Sequence, residues 1–382
     1  MRRAIVIGGE GINALGLVQS LGREGVHVIS ILISDRSVLI RHSKYSGEII
    51  LADNIDSAIN MMIERCTFEE PVPVFPAGDR EAMALDKNRD RLEGHFLYEK
   101  MNGADSITHY MDKGRQIELA RQYGFHVPLS IHLKKGMDAP AEMIYPCIVK
   151  PLVSCEGDKR DILIAGSRDQ LDEILKKNLS FTSEVIVQQY IDKDYEYDMM
   201  GCSFMDGEVF VPLSDRMVKF NHLQQDTSTV SYIEPLDPAI AVEVEKIKQL
   251  MQGIGYVGLF SVEFMHSRQD NKIYFTEINF RNDGENSFIV HCGVNLPYLH
   301  YLDLTKKPRK VYIPVNESKK FIWEAIHFSG LYRHDISFRE WLGDLKGVDG
   351  FLCYYKDDKR PFYYQFVNSI LERFKFFKRL LS

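Results

Sequence analysis

Residues 261–281 constrain this chain more than any other stretch. Ser261-Val262-Glu263-Phe264-Met265 and Ile273-Tyr274-Phe275-Thr276-Glu277-Ile278-Asn279-Phe280 are strand-like, and the polar residues between them, from His266 to Lys272, form a turn. Side chains on a strand alternate faces, so Glu277, Asn279 and Arg281 share one face. A hairpin centred on Asp270 sets Glu263 directly opposite Glu277, with Asn279 one pleat further along. Two facing glutamates repel unless something neutralises them. Carboxylate and amide oxygens suit a hard divalent cation such as Mg²⁺, and Arg281 is placed to grip an anionic oxygen bidentately. The plain alternative is a solvated sheet face, where Glu, Asn and Arg are ordinary.

The rest of the chain gives this hairpin a setting. Residues 4–8 (AIVIG) read as a buried strand, 12–24 as a helix and 26–33 (VHVISILI) as a second strand, a βαβ opening that implies a parallel sheet. Residues 55–65 and 79–93 read as helices and 72–75 as a strand, so an α/β domain is expected over 1–112. After a helix at 112–123, strands are expected at 127–132, 147–150, 161–165, 185–190, 196–205 and 208–213. One helix interrupts them at 168–177, and a long helix follows at 238–253. Gly9-Glu10-Gly11-Ile12-Asn13-Ala14 fits the G-x-G-x-x-A turn of dinucleotide-binding domains, with Asp35 placed to hold a ribose. The same turn also serves tight strand–helix packing alone, so a nicotinamide-dependent enzyme stays open as a reading.

Composition excludes several classes. With 45% hydrophobic and 26% charged residues the chain is globular rather than disordered. A net charge of −7 argues against a general nucleic-acid binder. No apolar run approaches the ~20 residues that span a bilayer, and the apolar stretch after Arg2-Arg3 is too short for a signal peptide. Six scattered cysteines with no C-x-x-C pair fit a reducing compartment.

Several motifs in order resemble those of the ATP-grasp superfamily. The hairpin resembles its metal-binding E-I-N-P-R strand pair, with Phe280 where proline is usual. Asp112-Lys113-Gly114 followed by a helix and Gly124-Phe125-His126-Val127-Pro128 resembles the family's entry to the nucleotide region. Tyr145-Pro146-Cys147-Ile148-Val149-Lys150-Pro151 resembles its P-x-I-V-K-P strand, and 185–191 (VIVQQYI) with Glu196 resembles its adenine hinge and ribose carboxylate. The likeness runs through about residues 1–305 and is nearest to carboxylate–amine ligases of the D-aspartate ligase and carbamoyl-phosphate synthetase large-subunit type.

The resemblance implies a Rossmann-like pre-ATP-grasp domain over 1–112, an ATP-grasp domain over 113–310 with a mobile lid at about 127–186, and a C-terminal extension over 311–382. It implies ATP with Mg²⁺, or Mn²⁺, and small-molecule carboxylate and amine substrates, with an amino acid or amino-acid-like molecule as substrate. Glu263, Glu277 and Asn279 would hold metal. Lys113 and Lys150 would hold phosphates, and Gly157, in the glycine-poor loop 154–160, would help close over them. Gln188 and the Ile191 backbone would meet adenine, and Glu196 the ribose. Arg281 would stabilise the transferring phosphoryl group, and Arg216 or Lys219, in a stretch read as a loop over the acceptor site, would hold a substrate carboxylate. Asn282 to Ser287 would be a second wall or a mere turn, and His291-Cys292 is expected in the core. An ATP-binding protein without ligase turnover is the alternative, given Gln188 and the glycine-poor loop. Phe366, Ile370, Phe374, Phe377 and Leu381 recur at helical spacing among Arg373, Lys375, Lys378 and Arg379. Residues 366–381 thus suit packing on the domain, or a peripheral contact with a membrane or a protein. A cytoplasmic protein, open to lying at the inner face of the membrane and to forming a homodimer, is expected.

Overall fold

The computed structural model describes all residues except 1, 10, 34–37, 103–105, 135–136, 138–142, 152–162, 179–183, 222–226 and 369–382. The chain opens with five parallel strands in the order Ser46–Leu51, His27–Leu32, Arg3–Ile7, Val72–Pro76, Phe96–Leu97. The strand Arg3–Ile7 is apolar after Arg3 because both its faces are covered. Ala4 and Val6 join the core under the helix Ile12–Arg23, while Ile5 and Ile7 join the core under the helix Ile55–Arg65. The edge strand Ser46–Leu51 escaped the sequence reading because most of its residues are partly or fully exposed and mixed in polarity.

The centre of the molecule is a larger sheet. Its order is Ile273–Asn279, Gly258–Ser267, Lys193–Ser203, Ser214–Asn221, Thr227–Glu234, Lys319–Ile322, Gly350–Phe351, antiparallel except for the last pair. Val262, Phe264, Phe275, Ile278 and Phe280 face a core closed by the helices Lys113–Gln122 and Pro238–Gly253. On the other face Met200, Cys202 and Leu259 share a core with Leu15, Val18 and Phe288, which seats the first domain on this sheet. His291 stacks on Tyr355 with ring centroids 4.1 Å apart and Cys292 is buried, so this pair is core, as expected.

Two expectations are corrected here. The polar stretch 215–231, read as a loop over the acceptor site, is mostly the paired strands Ser214–Asn221 and Thr227–Glu234. Its alternation of Thr, Val, Tyr and Ile with serine was outweighed in the sequence by its polar residues. The strand expected at 208–213 shrinks to Val209–Phe210. In addition, strands from beyond residue 310 complete the central sheet rather than standing apart from it.

A third sheet, ordered Ser130–Lys134, Glu184–Gln189, Cys147–Pro151, Leu163–Ala165, is antiparallel. Cys147, Val149, Val185 and Val187 pack with Leu171 and Leu175 of the helix Arg168–Asn178. Lys150, Ile186 and Gln188 therefore project from the opposite face. Among the described residues, no helix is long and apolar enough to cross a membrane.

Candidate active site

The expected pair of glutamates forms, although the turn is centred half a residue before Asp270, with Phe264 opposite Phe275 and His266 opposite Ile273, and a bulge makes up the difference. Glu263 pairs with Glu277 and Ser261 with Asn279, with a bulge just after Glu263. Asn279 Nδ2 donates to Glu263 Oε1 at 2.9 Å and to Ser261 Oγ at 3.2 Å, so three oxygen-bearing groups stand side by side.

Two lysines reach this group from different elements. Lys113 follows Asp112, which caps its helix through the Arg115 amide, and Lys113 Nζ lies 2.8 Å from Glu277 Oε2. Gln116, one turn along, holds the helix to the hairpin: its Nε2 donates to Ile278 O and its Oε1 accepts from Ile278 N, each at 2.9 Å. Lys150 comes from the small sheet and is 8% exposed. Burial pushes its ammonium down to about 8, with the nearby Lys113 adding to the effect. Lys113 moves the other way, because Glu277, Glu263 and Asp79 outweigh the burial that would lower it.

The two glutamates are shifted in opposite directions. Burial, then Glu277, Asp283 and Glu196, pushes the Glu263 carboxyl up to about 8. Burial would raise Glu277 as well, but Lys113, Lys150 and Arg281 outweigh it and hold its carboxylate below the ordinary range. Arg281 is fixed by Asp79 Oδ1 at 2.8 Å, Asp283 Oδ2 at 3.0 Å and Asn279 Oδ1 at 3.2 Å. These acids hold its guanidinium charged despite burial.

The remaining expected residues divide. Gln188 is buried, and its Nε2 donates to Ser130 Oγ at 2.7 Å. Ile191 is buried in the link from the small sheet to the central one, and Glu196 pairs with Lys193 at 2.7 Å. Gly157 lies outside the described residues. Arg216 is not brought to the site. It alternates with Asp215 and Met217, so it projects from the opposite face, where Glu234 binds it through both Nε and Nη2. Lys219 is engaged by Asp344 at 2.6 Å instead of lying open for a substrate. The bulges on either side of Lys219 could not be read from sequence.

Four acids were missed or left undecided. Asp198 sits opposite Glu263 on one side and Asp215 on the other. Asp283 and Glu285, in the stretch read as a wall or a turn, bring carboxylate oxygens within 4.8 Å of Asp198 and of each other. Asp79, at the start of the helix Asp79–Lys87, holds Arg281 from the first domain. The acidity of these segments was visible, but their meeting depends on strands far apart in the chain.

The Glu81 side chain lies against Gly8 and Gly78, whereas Gly11, at the start of the helix, has open space around its α-carbon. Beside it is a cavity of about 490 Å³, lined in part by Gly9, Gly11, Asn13, Glu81 and Trp323.

Comparison with known proteins agrees with this geometry. Residues 118–287 match the model of the ATP-grasp domain. A formate-dependent phosphoribosylglycinamide formyltransferase of a Nitratiruptor species is 28% identical over 221 residues, 51% of this chain and 54% of that protein. The chain thus spans about half the length of this relative. N5-carboxyaminoimidazole synthetase from Staphylococcus aureus complexed with ADP superposes with a TM-score of 0.68 at 18% identity, covering 84% of this chain and 82% of that one. An L-amino acid ligase from Bacillus licheniformis superposes at 0.61 with 15% identity, over 80% and 74%. These structural likenesses concern the fold. The stretch that matches the ATP-grasp model, residues 118–287, contains Lys150, Glu263, Glu277, Asn279 and Arg281.

Proposed function

We propose that this chain is an ATP-dependent carboxylate–amine ligase. The observation that carries the reading is the in-register pair Glu263–Glu277 beside Asn279, with Lys113, Lys150 and Arg281 converging on it from three other places. A hard-oxygen donor set of this kind fits Mg²⁺ or Mn²⁺, and Glu263, Glu277 and Asn279 are the residues that would hold it. Bound metal would supply charge neutralisation among phosphate oxygens. The two relatives named as a formyltransferase and an amino acid ligase support an ATP-dependent C–N ligation without fixing this chain's own substrates.

The residues divide the work as follows. Lys150 and Lys113 offer point charges to a polyphosphate between the small and central sheets. Gln188, already donating to Ser130, has an amide carbonyl able to accept from an adenine amino group, and Glu196 stands at the start of the long strand to accept from ribose hydroxyls. A substrate carboxylate oxygen attacks the γ-phosphorus, ADP leaves, and an amine nitrogen then attacks the acyl carbon with loss of phosphate. Arg281, held rigidly by Asp79 and Asp283, is aligned to stabilise charge on the transferring group. The lid expected over about 127–186 would exclude water from the acyl phosphate.

The experiment is a thermal-shift and ADP-release panel. Stabilisation by Mg-ATP and ADP release that depends on an added carboxylate are expected. Stabilisation by NAD with no response to ATP would overturn the reading.

A further inference from the structure

Gln188 is 7% exposed and lies on the face of the small sheet that also carries Lys150, two residues further along on the neighbouring strand. A glutamine amide has two unlike ends: its oxygen only accepts and its nitrogen only donates. Whichever end faces a bound base decides which purine fits. Adenine carries an amino group, a donor, at position 6, where guanine carries an oxygen, an acceptor. An ionised carboxylate at this place would accept whichever way it turned. A glutamine has to be held one way round.

The strand Ser130–Lys134 supplies the hold. Ser130 stands directly opposite Gln188. Gln188 Nε2 donates to Ser130 Oγ at 2.7 Å, and Ser130 Oγ donates to the Pro128 carbonyl at 2.9 Å. A serine hydroxyl has one proton. With that proton on the Pro128 carbonyl, Ser130 can only accept from Gln188. The nitrogen end of the amide therefore fits against it, and the oxygen end is turned away from it. Reversing the amide would set its oxygen against the Ser130 oxygen. The alternative is to draw the proton off Pro128, a buried residue whose carbonyl would lose this donor. The backbone around this chain of bonds is also tied down. Gln189 N donates to Leu129 O at 2.7 Å, and Tyr190 N donates to Pro146 O at 3.0 Å.

We propose that Ser130 is a positioning residue for the nucleotide base: by accepting from Gln188 it keeps the glutamine carbonyl toward the base and makes the site select a 6-amino purine. The assignment rests on the reading of Gln188 as the group that meets adenine and deepens it by naming what sets the base preference where no carboxylate does so.

The test is calorimetric titration of the full chain with Mg-ATP and with Mg-ITP, whose base has an oxygen where adenine has its amino group. The wild-type chain is expected to bind Mg-ATP about tenfold or more tightly than Mg-ITP. Ser130→Ala frees the amide to turn and is expected to lower that ratio about fivefold or more, with Mg-ITP bound more tightly than by wild type. Ser130→Thr keeps the hydroxyl and is expected to keep the ratio. A merely structural role would weaken both nucleotides together and leave the ratio unmoved. Gln188→Glu, once ionised, offers only acceptors, so adding Ser130→Ala to it should leave its preference for ATP intact. No preference in the wild-type chain, an unchanged ratio in Ser130→Ala, or a ratio that falls as far in the Gln188→Glu background would overturn the proposal. Should Ser130→Ala fail to fold, Ser130→Val against Ser130→Thr makes the same comparison in matched shapes. Carboxylate-dependent ADP release is measured in parallel. A base preference set by Ser130 without ADP release keeps the positioning role and removes the ligase reading, whereas ADP release with ATP and ITP bound alike does the reverse.

Discussion

Lys150 holds a positive charge where the protein resists it. Its ammonium is 8% exposed and titrates at about 8, against about 10.4 for a free lysine. Between those values the unfolded chain keeps a proton that the folded chain has released, so this group's contribution to stability rises with pH through that window and falls as pH drops through about 8. Lys150→Met is therefore expected to be more stable than wild type at pH 7, by up to ~3 kcal/mol, with the gap closing by about pH 10.5. Urea unfolding of the two proteins at both pH values checks this, and a gap that is constant with pH would contradict it. The same variant is expected to lose Mg-ATP binding, which explains retention of a destabilising residue. At this scale the nearness of Glu263 to Glu277 was legible from the hairpin pattern, but their direct pairing depends on a bulge after Glu263 that the sequence does not show. Asp198 and Asp215 were not legible, since their neighbours come from other strands. Arg216 misled because its neighbour Asp215, not Arg216, takes the inward face.

Among the elements, the contact of the helix Lys113–Gln122 with the hairpin determines whether the lysine and the glutamate meet. Gln116 acts there as one more strand partner, satisfying both the N–H and the C=O of Ile278 while also donating to Tyr110 O at 2.7 Å. Gln116→Ala strands buried backbone groups, and a loss of about 2–4 kcal/mol is expected. KM for ATP should rise as Lys113 loosens from Glu277. Gln116→Glu keeps the acceptor and loses the donor, so it should fall between. Chemical denaturation with ATP-dependent kinetics measures both effects, and a wild-type KM in Gln116→Ala would remove its positioning role. The helix was readable with Gly124 as its stop, while Asp112, counted inside it, proves to be its cap. Gln116 was not, because a lone glutamine on a helix carries no signal of what it faces. The strands Ser214–Asn221 and Thr227–Glu234 were hidden for a related reason: buried acids and serines on a sheet face look like a loop until their partners are known.

Over the whole molecule the C-terminal residues bind the parts together. Phe321 and Ile322 are buried on a strand that pairs with Thr227–Glu234, and Phe321 stacks on Phe288 at 4.9 Å. Asp358 accepts from Gln19 Nε2 at 3.0 Å and Ser43 Oγ at 2.5 Å in the first domain. A chain ending at residue 316 is expected to be insoluble, with the strand Thr227–Glu234 left as an exposed edge. Soluble, cooperative melting of the shorter chain would contradict this. Of the stretch 366–381, Phe366 contacts Phe328 at 5.1 Å yet stays exposed, and residues 369–381 lie outside the described residues. Sedimentation of the full chain and of a chain ending near Pro361 with anionic liposomes decides between packing and a membrane contact, equal binding favouring packing and stronger binding of the full chain favouring the membrane. The parallel sheet and the ATP-grasp fold were legible from ordered motifs. The closing strands were not, because Lys319–Ile322 and Gly350–Phe351 are short and their partners lie far away in the chain.

The most direct test of the central claim is ADP release by the full chain with ATP, screened across small carboxylates and amines, with Glu277→Gln alongside. Release should require Mg²⁺ or Mn²⁺ and at least one carboxylate, and Glu277→Gln should fold normally yet lose about a hundredfold or more of the rate. Equal turnover in Glu277→Gln, or turnover that ignores the metal, would show that the paired glutamates do not serve ATP chemistry.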